Sequence, residues 1–142
     1  MERQGGGSIV NMGSVAGIRY TGVPYVSYYT TKAAILGFSR CVAMQYASKE
    51  IRSNVVMPGL MNTPMIIEPL KEAYGQGDIG RMIELRDKQC PMGHMGDAWD
   101  VAEAVAFLAS DQSKYVTGTE LLVDGGISAR FAESVARATR GQ

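Results

Sequence analysis

A parallel α/β fold is the architecture this sequence predicts. Short apolar strand candidates bounded by glycine or proline alternate with helix-period stretches in the order strand, helix, strand, helix, strand. Strands separated in that way join into a parallel sheet through right-handed crossovers. The composition suits one such body: 142 residues, 46% hydrophobic and 20% charged, with Lys+Arg and Asp+Glu both at 14. A chain of this size buries roughly 68–70% of the surface it exposes when unfolded. The balanced charge argues against a disordered tail and against a nucleic-acid binder with a basic field.

The first strand candidate is Ser8 to Met12, introduced by Gly5-Gly6-Gly7 and ended by Gly13-Ser14. Because those three glycines precede the strand instead of opening a helix after it, they read as an entry turn and not as a phosphate cradle. From Ser27 to Lys49 the chain is helix-compatible, with Ala34, Phe38, Cys41, Val42 and Gln45 at spacings of three and four and Ile35 and Leu36 widening the apolar face. Such a helix is expected to be buried on more than one side, and Cys41 within it to be a small buried thiol. Gly37 costs about 1 kcal/mol there relative to Ala unless something packs closely on it. Ile51 to Met57 is the next strand, stopped by Pro58-Gly59.

Residues 60 to 96, broken by prolines and glycines, read as an insert of short helical pieces. A clean helix follows, with Asp97 as its N-cap, Asp100 in the first turn, and Val101, Ala104, Val105 and Leu108 at i, i+3, i+4 and i+7. Thr119 to Val123 is the last strand, before the Asp124-Gly125-Gly126 turn. Residues 1–126 therefore form one α/β unit and residues 127–142 a tail, in which Phe131, Ala132, Val135 and Ala136 suit a short helix. No charged stretch followed by an apolar one opens the chain, and no apolar run reaches 18 residues, so a cytoplasmic protein is expected. Cys41 and Cys90 form no metal or disulfide pattern, and the nine Met read as core filler.

Tyr28 and Lys32 stand four apart on the first helix, on one face and within mutual reach. A phenol is a poor base near neutral pH, and a nearby ammonium favours its anion, so the pair is suited to moving a proton to or from a substrate oxygen. The competing reading is a solvent-facing pair, and the pair by itself is weak evidence. Placement strengthens it: Ser14 lies just beyond the first strand and Pro58-Gly59 just beyond the second, where open parallel sheets bind ligands. Tyr25 and Tyr29 have no cation four residues on and read as packing residues. His94, the only histidine, reads as a surface residue.

From Gly5 to Gly126 the sequence resembles the short-chain dehydrogenase/reductase family, in particular the C-terminal catalytic half of a classical-type member. The stretch from Gly7 to Gly17 is similar to its catalytic-serine segment, Tyr28-Tyr29-Thr30-Thr31-Lys32 to its YxxxK signature, and Asn54 to Gly59 to its strand and Pro-Gly motif. The resemblance implies part of a Rossmann-like doubly wound parallel sheet, comprising only the last strands and helices. It implies Ser14, Tyr28 and Lys32 as catalytic residues: Tyr28 as general acid or base, Ser14 orienting the reacting oxygen, Lys32 acting on the phenol. Tyr28, Lys32, Pro58, Gly59, Met61 and Thr63 are implied as cofactor-binding residues, with Met61 and Thr63 lining the carboxamide pocket of NAD or NADP. The implied partners are a small carbonyl or alcohol substrate and further copies of the complete protein. Met65-Ile66-Ile67 with Leu70 and Tyr74 fall where that family carries its substrate lid, and their apolar character favours a ketone or secondary alcohol with an apolar body.

The sequence also departs from that family. The glycine-rich dinucleotide motif and the residue that distinguishes NAD from NADP have no counterpart in it, so the 142 residues alone are expected to be inactive. Ser14 to Tyr28 is one residue longer than the commonest family spacing, which calls for a small loop insertion between Gly17 and Val26. A different class of function stays open beside the oxidoreductase: a truncated, non-catalytic homologue that acts as an oligomerisation or interaction partner through its unpaired strand edge. A plain α/β module that keeps YxxxK without using it is a third reading.

Overall fold

A computed structural model describes residues 1–67 and 77–130. Three strands, β1 (Gly7–Met12), β2 (Ile51–Pro58) and β3 (Glu120–Val123), form one sheet in the order β1-β2-β3, and both pairings are parallel. Among the helices that accompany them are α1 (Val26–Tyr46), α2 (Ile79–Asp87) and α3 (Ala98–Ala109). The predicted strand and helix order is thus the observed one, with β1 starting one residue earlier than expected.

β2 is the centre of the molecule, and six of its eight residues are buried. Successive side chains of a strand point to opposite faces. Val55 and Met57 meet Leu36 of α1 in the core, with Ile35 packed against them, and Ser53 Oγ shares a 2.9 Å hydrogen bond with Ser39 Oγ of the same helix. The opposite face belongs to α3. Arg52 donates from one nitrogen to Leu108 O (3.0 Å), Ser113 Oγ (3.0 Å) and Val116 O (3.3 Å) and from the other to Ser110 O (3.1 Å). Ser8 Oγ of β1 reaches the same Leu108 carbonyl at 2.7 Å. A guanidinium set among the carbonyls that a helix leaves unpaired at its C-terminus satisfies both partners. Helices therefore cover both faces of the sheet, as doubly wound folds require.

Asn54, fully buried, ties the chain leading into β3: its Nδ2 donates to Val116 O (2.8 Å) and its Oδ1 accepts from Thr119 N (3.1 Å). Arg40 of α1 pairs with Glu120 of β3 at 2.7 Å. At the start of α3 the Asp97 carboxylate accepts from Trp99 N and Asp100 N while Asp100 accepts from Asp97 N, a complete capping box where the sequence places the N-cap.

Two expectations need correction. The buried residues of α1 are Leu36, Ser39 and Ala43, all on one side, whereas Ala34, Phe38, Cys41 and Gln45 are exposed, Phe38 by 60%. Apolar spacing found Ile35 and Leu36 but missed the rest of the buried stripe, which contains a serine whose partner is another buried serine. Cys41 is consequently exposed and Cys90 is the buried thiol. Nothing lies within 4 Å of where a Gly37 side chain would begin, so no close packing accounts for that glycine.

Within the predicted insert, residues 64–67 are helical and α2 is a true helix, capped by Asp78 Oδ1 accepting from Arg81 N. Leu70 and Tyr74, and the tail helix suggested around Phe131 to Ala136, lie outside the described residues. No helix among the described residues is long and apolar enough to cross a membrane.

Candidate active site

The two parallel pairings bring the C-terminal ends of β1 and β2 to one edge of the sheet, with Met12 in register with Val56. Gly13 N–H donates to Val56 O at 2.8 Å, holding the chain against β2 for one residue beyond β1. Ser14 follows in extended conformation, and its Oγ accepts from Ala16 N at 3.2 Å, capping a single turn over Val15–Gly17. Val15 and Ala16 are buried, which anchors the turn. Gly17 leans on α1: a Cβ at that position would stand 3.0 Å from the Lys32 carbonyl oxygen, so no larger residue fits without moving the helix backbone.

Lys32 closes the arrangement from the other side. Its Nζ donates to Met12 O at 2.9 Å and stands 5.7 Å from the centroid of the Tyr28 ring. Serine turn, ammonium and phenol thus gather at the end of β1, and Tyr28 remains 44% exposed. Among the described residues no hydrogen bond joins the Ser14 hydroxyl to the Tyr28 phenol. Ser14 accepts from Ala16 and keeps its own proton to give.

The loop between them is organised by Tyr29, whose hydroxyl accepts from Thr21 N (2.9 Å) and lies 2.6 Å from Thr21 Oγ1. Its ring stacks at a tilt on Tyr20, centroids 5.5 Å apart. Nothing in the sequence spacing announced this pin, because the partners are joined through an irregular loop. Tyr25, by contrast, is 52% exposed and enters the fold through its backbone.

Pro58 ends β2, and Gly59 N–H donates to Val123 O at 2.9 Å. The next residues run beside Gly96: Met61 pairs with it in an isolated parallel bridge, through Asn62 N to Gly96 O (2.7 Å) and Gly96 N to Leu60 O (3.1 Å). Thr63 follows, half-buried, its carbonyl accepting from Ile66 N. Pro58, Gly59, Met61 and Thr63 thus leave the same sheet edge that Ser14, Tyr28 and Lys32 occupy.

Other titratable groups stand apart from this chemistry. Burial, helped by the Asp87 charge and opposed by Arg86, pushes the Cys90 thiol up, which disfavours the nucleophilic thiolate. Burial would also raise Asp124, but hydrogen bonds from Ser128 and Gly126 outweigh it and hold the carboxyl below the usual range. His94 is exposed, its Nδ1 beside Met95 O at 2.9 Å. Among the described residues no cluster of His, Cys, Asp or Glu is suited to a metal ion.

Comparison with known proteins agrees with this geometry. Residues 1–128 match a family described as enoyl-(acyl carrier protein) reductase. A 3-oxoacyl-(acyl-carrier-protein) reductase of Bos taurus is 44% identical over 127 residues, 89% of this chain and 47% of its own length. A 7alpha-hydroxysteroid dehydrogenase of Bacteroides fragilis is 37% identical over 128 residues, 90% of this chain and 46% of its own. A solved short-chain dehydrogenase/reductase from Burkholderia xenovorans superposes with a TM-score of 0.84 at 48% identity, over 93% of this chain and 49% of that one. The chain spans about half the length of the curated relatives it matches. With its parallel sheet, its serine turn and its Tyr28–Lys32 pair, the chain belongs to the short-chain dehydrogenase/reductase family.

Proposed function

We propose that this chain carries the proton-transfer machinery of an oxidoreductase that moves a hydride between NAD or NADP and a ketone or secondary alcohol with an apolar body. One observation carries the reading: Lys32 Nζ is held by Met12 O and stands beside the Tyr28 ring at the strand end that also bears Ser14. In the direction of reduction, Tyr28 gives its phenolic proton to the substrate oxygen as the carbonyl becomes an alcohol, and takes it back in oxidation. Ser14 donates a hydrogen bond to that same oxygen and fixes its position. The Lys32 ammonium stabilises the negative charge that grows on the phenol oxygen as the proton leaves.

The residues suit the nicotinamide end of the dinucleotide. One N–H of the Lys32 ammonium is engaged with Met12 O, which leaves two for ribose hydroxyls. Pro58, Gly59, Met61 and Thr63 are the residues we assign to the carboxamide side. The bound dinucleotide supplies or accepts the hydride. The names of the relatives above support an apolar substrate body, since they include a hydroxysteroid dehydrogenase and a 3-oxoacyl reductase. The exposed Met65, with Ile66 and Ile67 beside it, supports the same preference.

A second reading, a non-catalytic interaction partner, is favoured by the exposed Phe38 face of α1 and by a β1 edge left unpaired among the described residues. The absorbance of reduced nicotinamide separates the two. A polypeptide joining this segment to a dinucleotide-binding half should consume NADH or NADPH with apolar ketones and prefer them to charged sugars. Silence with both cofactors across a carbonyl panel would favour the interaction partner, and a preference for charged sugars would overturn the substrate assignment.

A further inference from the structure

We propose that Gly96, far from the site in sequence, is a positioning residue that sets where the Met61 side chain stands. The inference rests on the cofactor role assigned to Met61. Gly96 makes the Met61 bridge, with one hydrogen bond on each side of Met61, and the bridge lies outside the three-stranded sheet. It ties residues 60–62 to the N-terminus of α3. A Cβ at position 96 would stand 3.0 Å from Met61 Sδ, 3.2 Å from Met61 Cε and 3.0 Å from Asp100 Oδ2. Asp100 is not free to swing away, because Oδ2 accepts from Asp97 N at 2.8 Å in the capping box.

Gly96 is therefore a spacer between a fixed carboxylate and the movable tip of Met61, and a Cβ there presses the thioether back by a few tenths of an ångström. The backbone itself tolerates substitution, since Gly96 is not among the residues with positive φ. Both bridge hydrogen bonds are main-chain and survive an exchange to alanine. What changes is the position of the Met61 side chain, two residues before Thr63.

The test is steady-state kinetics of Gly96→Ala in a polypeptide that turns over. The KM for the nicotinamide dinucleotide should rise about threefold, since the shift is a fraction of the 1 Å misplacement that can cost roughly 10²-fold. The carbonyl substrate's KM and the melting temperature should stay near those of the unsubstituted protein. Met61→Ala removes the atoms that a new Cβ meets, so adding Gly96→Ala to it should change the cofactor KM less than twofold. A cofactor KM unchanged by Gly96→Ala, or an equal rise in the Met61→Ala background, overturns the proposal while leaving the oxidoreductase reading in place. So does a fall in melting temperature accompanied by equal losses in every kinetic parameter. Absence of nicotinamide-dependent turnover before any substitution is a different failure, which sinks that reading and this proposal with it.

Discussion

At the scale of single residues, Asp124 shows how one carboxylate organises a chain exit. Its Oδ1 accepts from Gly126 N and its Oδ2 from Ser128 N, each at 2.9 Å, directly after β3. Asparagine offers only one oxygen, so Asp124→Asn would set an amide NH2 against a backbone N–H. The expected loss is roughly 1 kcal/mol at neutral pH, the usual worth of one hydrogen bond. The sign of the pH dependence follows from the lowered folded pKa: the Asp124 contribution is present above the unfolded carboxyl value near about 4 and is lost as pH falls through the lower folded one. Denaturant melts of both proteins should therefore differ at pH 7 and converge in acid below about pH 4. A gap that stays constant across that window would show that the carboxylate is not the source. The sequence marked Asp124-Gly125-Gly126 as a turn but gave no hint of which N–H groups the side chain would take. Tyr28 and Lys32 were legible because one helical turn fixes their relation. Arg52 and Tyr29 were not, because the backbone and hydroxyl groups they meet are brought close by tertiary folding or an irregular loop and follow no fixed spacing.

At the scale of elements, local signals proved as good as the local physics behind them. The Asp97 cap was readable because capping is decided within four residues, and the structure completes it with Asp100. Asp97→Ala should cost about 1 kcal/mol and lower the thermal midpoint of unfolding measured by circular dichroism. An unchanged midpoint would mean that α3 does not depend on its cap. The sequence reading placed short helical pieces in the insert without fixing their bounds, and α2 is one of them. Its signals were present in the Asp78 cap and in the buried Met82 and Arg86 one turn apart. A buried arginine, however, does not register as an apolar position. The same blindness misassigned α1, where Ser39 and Ser53 bury a shared hydrogen bond and leave Phe38 and Cys41 outside. Periodicity reports which residues are apolar, and packing also accepts polar residues whose partners are satisfied.

At the scale of the whole molecule, the sheet order brings the candidate site residues to one edge. Parallel β1 and β2 end side by side, α1 begins beside them, and α3 braces the segment after β2 through Gly96. That convergence follows from the strand-helix-strand order, which is why the site was legible before its geometry was known. The account centres on the Tyr28 phenol as the group that moves the proton. The direct measurement is turnover by Tyr28→Phe in a polypeptide that joins this segment to a dinucleotide-binding half, set against the unsubstituted protein. Tyr25→Phe is the suitable control, since the Tyr29 hydroxyl pins the loop at Thr21 and is not neutral. Tyr28→Phe should retain the fold and lose at least the roughly 10²–10⁴-fold that a positioned acid or base contributes, while Tyr25→Phe stays close to the unsubstituted rate. Equal losses in the two variants, both folded by circular dichroism, or near-full activity in Tyr28→Phe, would contradict it.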